Sequence, residues 1–316
     1  TQIDIAIDEI FSNIVYYAYN SEIGQVTVRF EVSGEPPTVT ITFIDSGVPY
    51  LNDIAYIGQQ HNITRCKPWL DDDNPGFGAS DMLHAGEIIA GNTFDYASVH
   101  GKAVLKAGYP FYSCSNETFA EDSTFRSDAW TVDLICGKQV TTTVGTGMQQ
   151  KYRVFSAGMQ DALESFTSGG GNILVSGAYI GTDIWDNIYP VQTDSLFKEK
   201  SIKFASGVLG YKWMSNSASR RAEAKGVRNA LAEYGSYKYH NEPNSLSYSV
   251  ESPDGIVPAS SKAKTVMRYT DTGISAGVCF EGKGYKTACF GFPVEALRDE
   301  KDIDEIITTT LEYFNR

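Results

Sequence analysis

The sequence predicts an α/β fold, in which a mostly parallel, doubly wound sheet is preceded by a helix and a β-hairpin. Three observations predict it. After Asn52, short apolar runs alternate with helical patterns, as they do in β-α-β units. The apolar run Ile173–Val175 follows an amphipathic stretch and a glycine stop, which is typical of a strand buried on both faces. Before Asn52, one helical pattern leads into two alternating strands.

Composition and charge narrow the classes of function. The chain has 316 residues, of which 42% are hydrophobic, and a net charge of −13. Nucleic acids and anionic membranes attract clustered Lys and Arg, so the charge argues against both as partners. No apolar run approaches the ~20 residues of a membrane span. Since Thr1 is not a natural start, we expect that a signal peptide was removed or lies outside this sequence.

The opening segment carries polar residues at suggestive positions. Residues 2–20 have the apolar period of a helix, on which Glu9 and Asn13 lie four apart and share a face. Strands are predicted over 26–32 and 38–44, and the motif Asp45-x-Gly47-x-Pro follows the second strand.

These motifs resemble the N-box and the first glycine box of the GHKL superfamily, most closely the anti-sigma-factor serine kinases. The resemblance implies that Glu9 polarises the attacking group and that Asn13 holds Mg²⁺. It also implies that Asp45, in the box that contains Gly47, accepts a hydrogen bond from the adenine amino group. Mg-ATP, sigma-factor regulators and a cytoplasmic location would follow. The family's phosphate-closing glycine box has no counterpart here, so we expect ATP binding to be weak or absent.

The remaining chain alternates between strand and helix patterns. The predicted strands span 54–57, 87–90, 110–114, 131–136, 173–175, 265–269, 275–280 and 287–292. The predicted helices span 96–107, 155–166, 194–209 and 302–314. Between 211 and 258 the sequence is rich in Ser, Asn, Gly and Tyr, which predicts irregular structure with short strands.

Several runs in this part carry a second resemblance, among them residues 53–59, 69–80, 175–183 and 249–254. From about Leu51 onward the chain resembles one region of large Bacteroidetes proteins known as xanthan lyases or golvesin-domain proteins. The resemblance implies a secreted, extracytoplasmic module beside glycan or cell-wall modules. The strand and helix rhythm is also similar to that of flavodoxin-like and glutamine-amidotransferase-like domains, as a fold analogy.

The two resemblances meet between Asp45 and Leu51. We therefore predict a partial GHKL-like helix and hairpin over residues 1–50 and an α/β domain over residues 51–316. So abrupt a change, from a cytoplasmic type of motif to a secreted type of domain, suggests a fusion or chimera.

Candidate site residues follow the predicted strands. Parallel strands joined by right-handed crossovers place their carboxyl ends at one edge, where open α/β sheets bind ligands. Ser176, His100 and either Asp183 or Asp95 could form a hydrolytic triad there, with Trp185 near the rim of the crevice. The alternative is that Ser176 is merely small enough for a tight turn and that His100 braces a helix.

Metal and thiol chemistry have little support. The acidic loop 71–76 does not match the spacing of an EF-hand, and the five cysteines lack CxxC pairing, so we predict no metal site. Cys136 could be a nucleophile, although a buried thiol is the favoured interpretation.

Three hypotheses remain open. The first is a secreted binding or hydrolase-like module that recognises glycan or cell-wall material through a polar crevice at the strand ends. The second is the ATP-binding kinase, and the third is a non-catalytic structural module. The sequence leaves open whether the protein is an enzyme, and it predicts no cofactor unless the opening segment binds Mg-ATP.

Overall fold

The structure is a computed structural model. It describes residues 26–33, 38–45, 96–114, 116–124, 126–144, 149–151, 153–186, 195–242 and 247–316. The chain divides into two compact units, Thr1–Ala55 and Tyr56–Arg316.

The first unit contains the predicted hairpin. Strands β1 (Val26–Ser33) and β2 (Thr38–Asp45) pair antiparallel, with Val26 opposite Asp45 and Ser33 opposite Thr38. The two predicted strands are therefore confirmed. The predicted helix over 2–20 lies outside the described residues.

The second unit contains the four predicted helices and two short ones that were not predicted. They are α1 (Tyr96–Lys106), α2 (Asn116–Glu121), α3 (Ala157–Ser168), α4 (Thr182–Trp185), α5 (Ser195–Phe204) and α6 (Glu300–Asn315), of which α2 and α4 are the short ones. The Ser156 hydroxyl caps α3 by accepting a hydrogen bond from the Met159 N–H, and the amphipathic face of α3 buries Leu163 and Phe166. A π-helical turn (Ala205–Leu209) extends α5, and a 3-10 turn (Val294–Ala296) precedes α6.

The strands of the second unit form one large sheet and two small ones. They are β3 (Thr131–Gly137), β4 (Thr142–Val144), β5 (Gln149–Lys151), β6 (Asn172–Gly177), β7 (Tyr211–Ser215), β8 (Glu223–Gly226), β9 (Ser236–Lys238), β10 (Gly255–Pro258), β11 (Ala263–Tyr269), β12 (Ser275–Glu281) and β13 (Lys286–Phe290). The order in the large sheet is β3-β6-β13-β12-β11-β8-β9, while β4 pairs with β5 and β7 pairs with β10.

The prediction of a mostly parallel, doubly wound sheet is wrong. The flavodoxin-like or glutamine-amidotransferase-like architecture that was expected with such a sheet is wrong as well. In the described part of the chain, the seven-stranded sheet is mixed. Only the β3–β6 and β6–β13 pairings are parallel. The other four pairings, which run from β13 through β12, β11 and β8 to β9, are antiparallel.

Short connections explain this error. Residues 270–274 join β11 to β12 and residues 282–285 join β12 to β13, whereas a parallel crossover needs about a dozen residues or more. Gly273 and Gly284 adopt positive φ angles of 70° and 83° in these turns, which glycine does at little cost. The last three strands therefore form successive hairpins.

Strand β6 is buried on both faces, as its apolar sequence predicts. Ile173 and Val175 pack in one core with α3 and α5, whereas Leu174 packs in the other core with α1 and α6. Side chains alternate along a strand, so these two cores lie on opposite faces of the sheet.

Residues 110–114 are not a strand, contrary to prediction. The ring of Phe111 fills the space beside Gly101 of α1, where a Cβ would approach that ring to 2.1 Å. Phe111 therefore packs against helix α1 and not within a strand.

Candidate functional site

The carboxyl ends of β3, β6 and β13 lie side by side at one edge of the sheet. Gly137 is in register with Gly177, and Ser176 is in register with Phe290. The Ala178 N–H donates to the Gly137 carbonyl at 2.8 Å just beyond both strands. Cys136 and Val175 therefore end neighbouring parallel strands, as expected, while Ala90, the third predicted strand end, lies outside the described residues.

Asp254 links two of these strand ends. Its backbone N–H donates to the Gly291 carbonyl after β13 at 2.7 Å. Its Oδ2 accepts hydrogen bonds from the N–H groups of Gly181 and Thr182, at 2.6 and 2.9 Å, after β6. Its Oδ1 accepts from the Thr182 hydroxyl at 2.5 Å and from the Trp213 indole Nε1–H at 3.3 Å. Both carboxyl oxygens are therefore occupied by donors of the protein.

The environment of Asp254 changes its acidity. The residue is completely buried. Burial raises the pKa of the carboxyl group, and the hydrogen bonds from Thr182, Gly181 and Trp213 limit the rise, so that the pKa lies at about 7. Asp254 therefore changes its protonation state near neutral pH.

His100 lies between two carboxylates on the α1 face of the sheet. Its Nδ1 donates to Asp133 Oδ2 at 2.6 Å, and its Nε2 donates to Glu295 Oε2 at 3.4 Å. The hydroxyl of Tyr248 donates to Glu295 Oε1 at 2.8 Å. Helix α1, strand β3, the 3-10 turn and the segment before β10 are thus joined by one polar network.

The histidine in this network is held as an imidazolium. Burial by itself lowers the pKa of His100, but the carboxylates of Asp133 and Glu295 outweigh burial and raise the pKa to about 10. At neutral pH both ring nitrogens therefore carry protons and act as donors, so His100 cannot serve as a general base in this state.

A second ion pair lies at the same edge. Lys138 follows β3, is buried, and donates to Glu251 Oε2 at 2.7 Å, while the Glu251 side chain is half-exposed. Burial tends to raise the pKa of Glu251, but Lys138 outweighs it and keeps that pKa below its ordinary value. The phenol of Tyr179, after β6, has its pKa raised by burial and by the nearby carboxylates of Glu251 and Asp254. Glu251 is therefore an ionised acceptor that solvent can reach.

The predicted triad is not assembled in the described structure. Ser176 is fully buried on β6, and its hydroxyl has no hydrogen-bond partner among the described residues. His100 instead faces Asp133 and Glu295 with both ring nitrogens. Asp95 lies outside the described residues, so its expected place in the crevice stays a prediction.

The Asp183 side chain connects two separate segments of the backbone. Its Oδ1 accepts from the Thr141 N–H at 2.6 Å, and its Oδ2 accepts from the Val154 N–H at 2.9 Å. Trp185 is half-buried and packs at 6.2 Å from Tyr211 between ring centroids. Asp183 therefore braces the segments on either side of the β4–β5 hairpin.

The residues of the predicted nucleotide site are almost all outside the described structure. Glu9, Asn13 and Gly47 belong to this group, whereas Asp45 is the last residue of β2. Their roles in binding Mg-ATP stay predictions.

The cysteines near the sheet are free thiols. Cys136, Cys279 and Cys289 are buried, as expected for Cys136, whereas Cys114 is exposed. Burial raises the pKa of Cys136 well above its ordinary value, and the nearby Glu295 carboxylate adds to the rise. Because the thiolate is the nucleophile, Cys136 is an inert core residue.

The carboxylates that organise this edge were not among the residues predicted from the sequence. Asp133 interrupts the apolar strand 131–136, and a charged residue inside a buried strand indicates a partner. Asp254 and Glu251 belong to the run 249–254, which was noted only for its resemblance. Glu295 has no local signal, because its partner His100 lies 195 residues away.

The described part of the chain contains neither a cluster of metal ligands nor a membrane-spanning helix. None of its His, Cys, Asp and Glu residues form a group of three or more that could hold a metal ion. None of its helices combines the length and the apolar character needed to cross a membrane.

The described residues thus define a mixed α/β domain with a polar edge at the carboxyl ends of its parallel strands. No family model matches the chain, and no curated protein matches it. Among solved structures, a cytoplasmic protein of Salmonella typhimurium is similar, with a TM-score of 0.42 and 10% identity over 92% of this chain and 95% of that chain.

Two glycoside-acting enzymes are also similar to the chain. A β-galactosidase from Rahnella sp. R3 has a TM-score of 0.40 and 15% identity over 68% of this chain, which spans 26% of the enzyme. An exo-β-1,4-mannosidase from Opitutaceae bacterium strain TAV5 has a TM-score of 0.35 and 11% identity over 68% of this chain and 30% of that one. These likenesses, all with TM-scores below 0.5, assign neither a fold nor an activity to the chain.

Proposed function

We propose that the chain is an extracytoplasmic, glycan- or cell-wall-related module that binds carbohydrate at the carboxyl edge of its sheet. The observation that carries the proposal is the Lys138–Glu251 ion pair just beyond β3. It combines a half-exposed carboxylate with a buried cation that orients it.

The chemistry of these groups suits sugar hydroxyls. An ionised carboxylate accepts hydrogen bonds from hydroxyl groups, and such charge-assisted bonds are stronger than bonds between neutral groups. Ser249 donates its hydroxyl to Glu251 Oε1, so a second contact fixes the carboxylate. A carboxylate held at both oxygens loses little side-chain entropy when a ligand binds.

The protonation states and hydrogen bonds of the neighbouring acidic and basic side chains favour binding of a carbohydrate over its hydrolysis. A pair of carboxyls with separated pKa values, such as Asp254 and Glu251, is the pattern of an acid and a base. Both oxygens of Asp254, however, accept hydrogen bonds inside the protein, and the side chain is completely buried. His100 is an imidazolium enclosed between two carboxylates, so it cannot act as a general base.

The first prediction is that Glu251→Gln weakens carbohydrate binding about tenfold or more, because a neutral amide replaces the charged acceptor. Binding is measured by calorimetry with xanthan oligosaccharides, muropeptides and neutral cello-oligosaccharides. The fluorescence of Trp213, whose indole N–H donates to Thr182 Oγ1 at 3.2 Å, provides a second readout at this edge.

Glu199→Gln is the matched control. Glu199 also pairs with a lysine, Lys203, at 2.7 Å, but it lies on the exposed face of α5. We expect this variant to bind as the wild-type protein does. Absence of binding to all three ligands at millimolar concentration, or equal losses in both variants, would overturn the proposed function.

The second prediction concerns the kinase alternative. We expect calorimetry to detect no micromolar binding of Mg-ATP, because the sequence lacks the glycine box that closes over the phosphates. Micromolar binding that disappears in Asn13→Ala would contradict this expectation and support an ATP-binding anti-sigma kinase.

A further inference from the structure

The solvent face of strands β11, β8 and β9 carries an excess of basic side chains. Arg268 is directly opposite Lys225, and Lys225 is directly opposite Ser236, so these three form one row across the strands. Lys238 lies in the next row, opposite Glu223. Arg268, Lys225 and Lys238 are all exposed.

The opposite face of the same strands is core. Ala224, Tyr237 and Tyr269 alternate with the basic residues and are buried beneath α6 and its neighbours. Because side chains alternate across a strand, the basic row points away from this core. The second core, which covers the other half of the sheet, includes no residue of β8 or β9 among its described members.

Two more arginines directly precede β8, close to the point where β11 ends. The backbone N–H groups of Arg220 and Arg221 donate to Asp271 Oδ2, at 2.8 and 3.2 Å, just before β8 begins. Both side chains are exposed. We call Arg220, Arg221, Lys225, Lys238 and Arg268 the cationic face.

The carboxylates nearby do not pair with these cations. Asp271 accepts hydrogen bonds from the Ser219 hydroxyl as well as from the two backbone N–H groups. Glu223 accepts from the Thr270 hydroxyl at 2.9 Å. Within the described ranges, no side chain of the cationic face forms an ion pair.

Like charges directly opposite each other destabilise a sheet. Arg268 Nη1 donates to the Gly273 carbonyl at 2.8 Å, but this neutral acceptor does not compensate the charges of Arg268 and Lys225. The pair is also unusual on a chain with a net charge of −13. From these observations we infer that the cationic face binds an anionic polysaccharide whose carboxylates lie across Arg268, Lys225 and Lys238.

The choice of a polysaccharide rests on the proposed glycan-related function and on charge density. Duplex DNA carries one negative charge per about 1.7 Å, and the net negative charge of this protein repels so dense a polyanion. A uronate polymer has one charge per sugar and is repelled less. It can therefore bind a small patch of positive charge on an acidic protein.

Calorimetry with polygalacturonate tests the inference, with neutral dextran, duplex DNA and phosphatidylglycerol vesicles as comparisons. We expect polygalacturonate to bind the wild-type protein and to bind more weakly as NaCl rises from about 0.05 to 0.5 M. Lys225→Glu should weaken this binding about tenfold or more. The variant should melt no lower than the wild type, because it places a carboxylate opposite Arg268.

Lys212→Glu makes the same change in net charge on exposed β7 and should bind polygalacturonate as the wild type does. Arg221→Gln is a second variant of the cationic face and should also weaken binding. Equal losses in Lys225→Glu and Lys212→Glu would overturn the inference. So would DNA or vesicles binding as tightly as polygalacturonate, or no binding of any polyanion.

The same titrations separate this inference from the proposed function. Glu251→Gln should leave polygalacturonate binding intact if the cationic face is the site. If Glu251→Gln abolishes polygalacturonate binding and Lys225→Glu does not, the crevice is the site and the cationic face is not. If Lys225→Glu abolishes it while no oligosaccharide binds the crevice, the inference stands and the proposed function fails.

Discussion

Asp254→Ala is expected to lower the free energy of unfolding by about 3 to 5 kcal/mol, measured by urea denaturation. The substitution removes the acceptor of the Gly181 and Thr182 N–H groups and of the Trp213 indole N–H. The Gly181 N–H would then be buried without a partner, which costs about 1–3 kcal/mol, whereas the Trp213 indole N–H would keep Thr182 Oγ1 as an acceptor. The segment after β6 would also lose its connection to the segment after β13.

Asp254→Asn tests what the hydrogen bonds of this side chain contribute to stability separately from its charge. The amide retains an acceptor for the Gly181 and Thr182 N–H groups, so we expect a smaller loss than in Asp254→Ala. The ordinary pKa of the aspartate is 3.8 and its pKa in the folded protein is about 7, so the folded state binds this proton more tightly. The stability that it contributes is present below pH 3.8 and is lost as the pH rises to about 7.

Unfolding measured from pH 4 to 8 tests this dependence. We expect the wild-type stability to contain a component that falls between pH 4 and 7, and we expect Asp254→Asn to lack that component. If both proteins have the same pH profile, Asp254 is ionised throughout this range in the folded state.

His100→Ala is expected to lower the free energy of unfolding by about 3–5 kcal/mol, because it leaves the buried carboxylate of Glu295 without a counter-charge. The hydroxyl of Tyr248 would remain as a hydrogen-bond donor to Glu295 but carries no charge. The measurement is again urea denaturation, at pH 6, where the imidazole is protonated in both the folded and the unfolded states.

The dependence of the free energy of unfolding on pH distinguishes the contribution of the His100 charge from that of its packing. The pKa of His100 rises from 6.5 to about 10 on folding, so its contribution is complete below pH 6.5 and is lost as the pH approaches 10. His100→Gln should remove this fall in stability. Lys106→Ala, on the same helix, removes two exposed ion pairs to Glu300 and Asp304 and should change stability little. An unchanged alkaline profile in His100→Gln would contradict the imidazolium.

Local pattern predicted the elements well because helices and strands repeat over a few residues. The helix predicted over 155–166 is α3, and the strand predicted over 173–175 is the doubly buried β6. The last three predicted strands are also present. Their direction was wrong because the turns at Gly273 and Gly284 were not recognised as hairpin turns, although their short length was visible in the sequence.

The carboxyl edge was predicted only in outline. The parallel pairing of β3 with β6 brings their ends together, as the apolar runs suggested. The candidate catalytic residues were small or polar residues near those strand ends. In the structure Ser176 is buried in the core, and the Asp183 carboxylate accepts hydrogen bonds from backbone N–H groups.

By itself, the sequence determined the positions of the four longer helices and of β1 to β3, β6 and β11 to β13, the burial of β6 on both faces and the acidic character of the chain. Only the tertiary structure decided which strands run antiparallel and which charged groups meet. Glu295 reaches His100 across 195 residues, and Asp254 reaches Thr182 across 72. Such contacts depend on how distant segments pack, whereas apolar periodicity reports only which face of one element is buried.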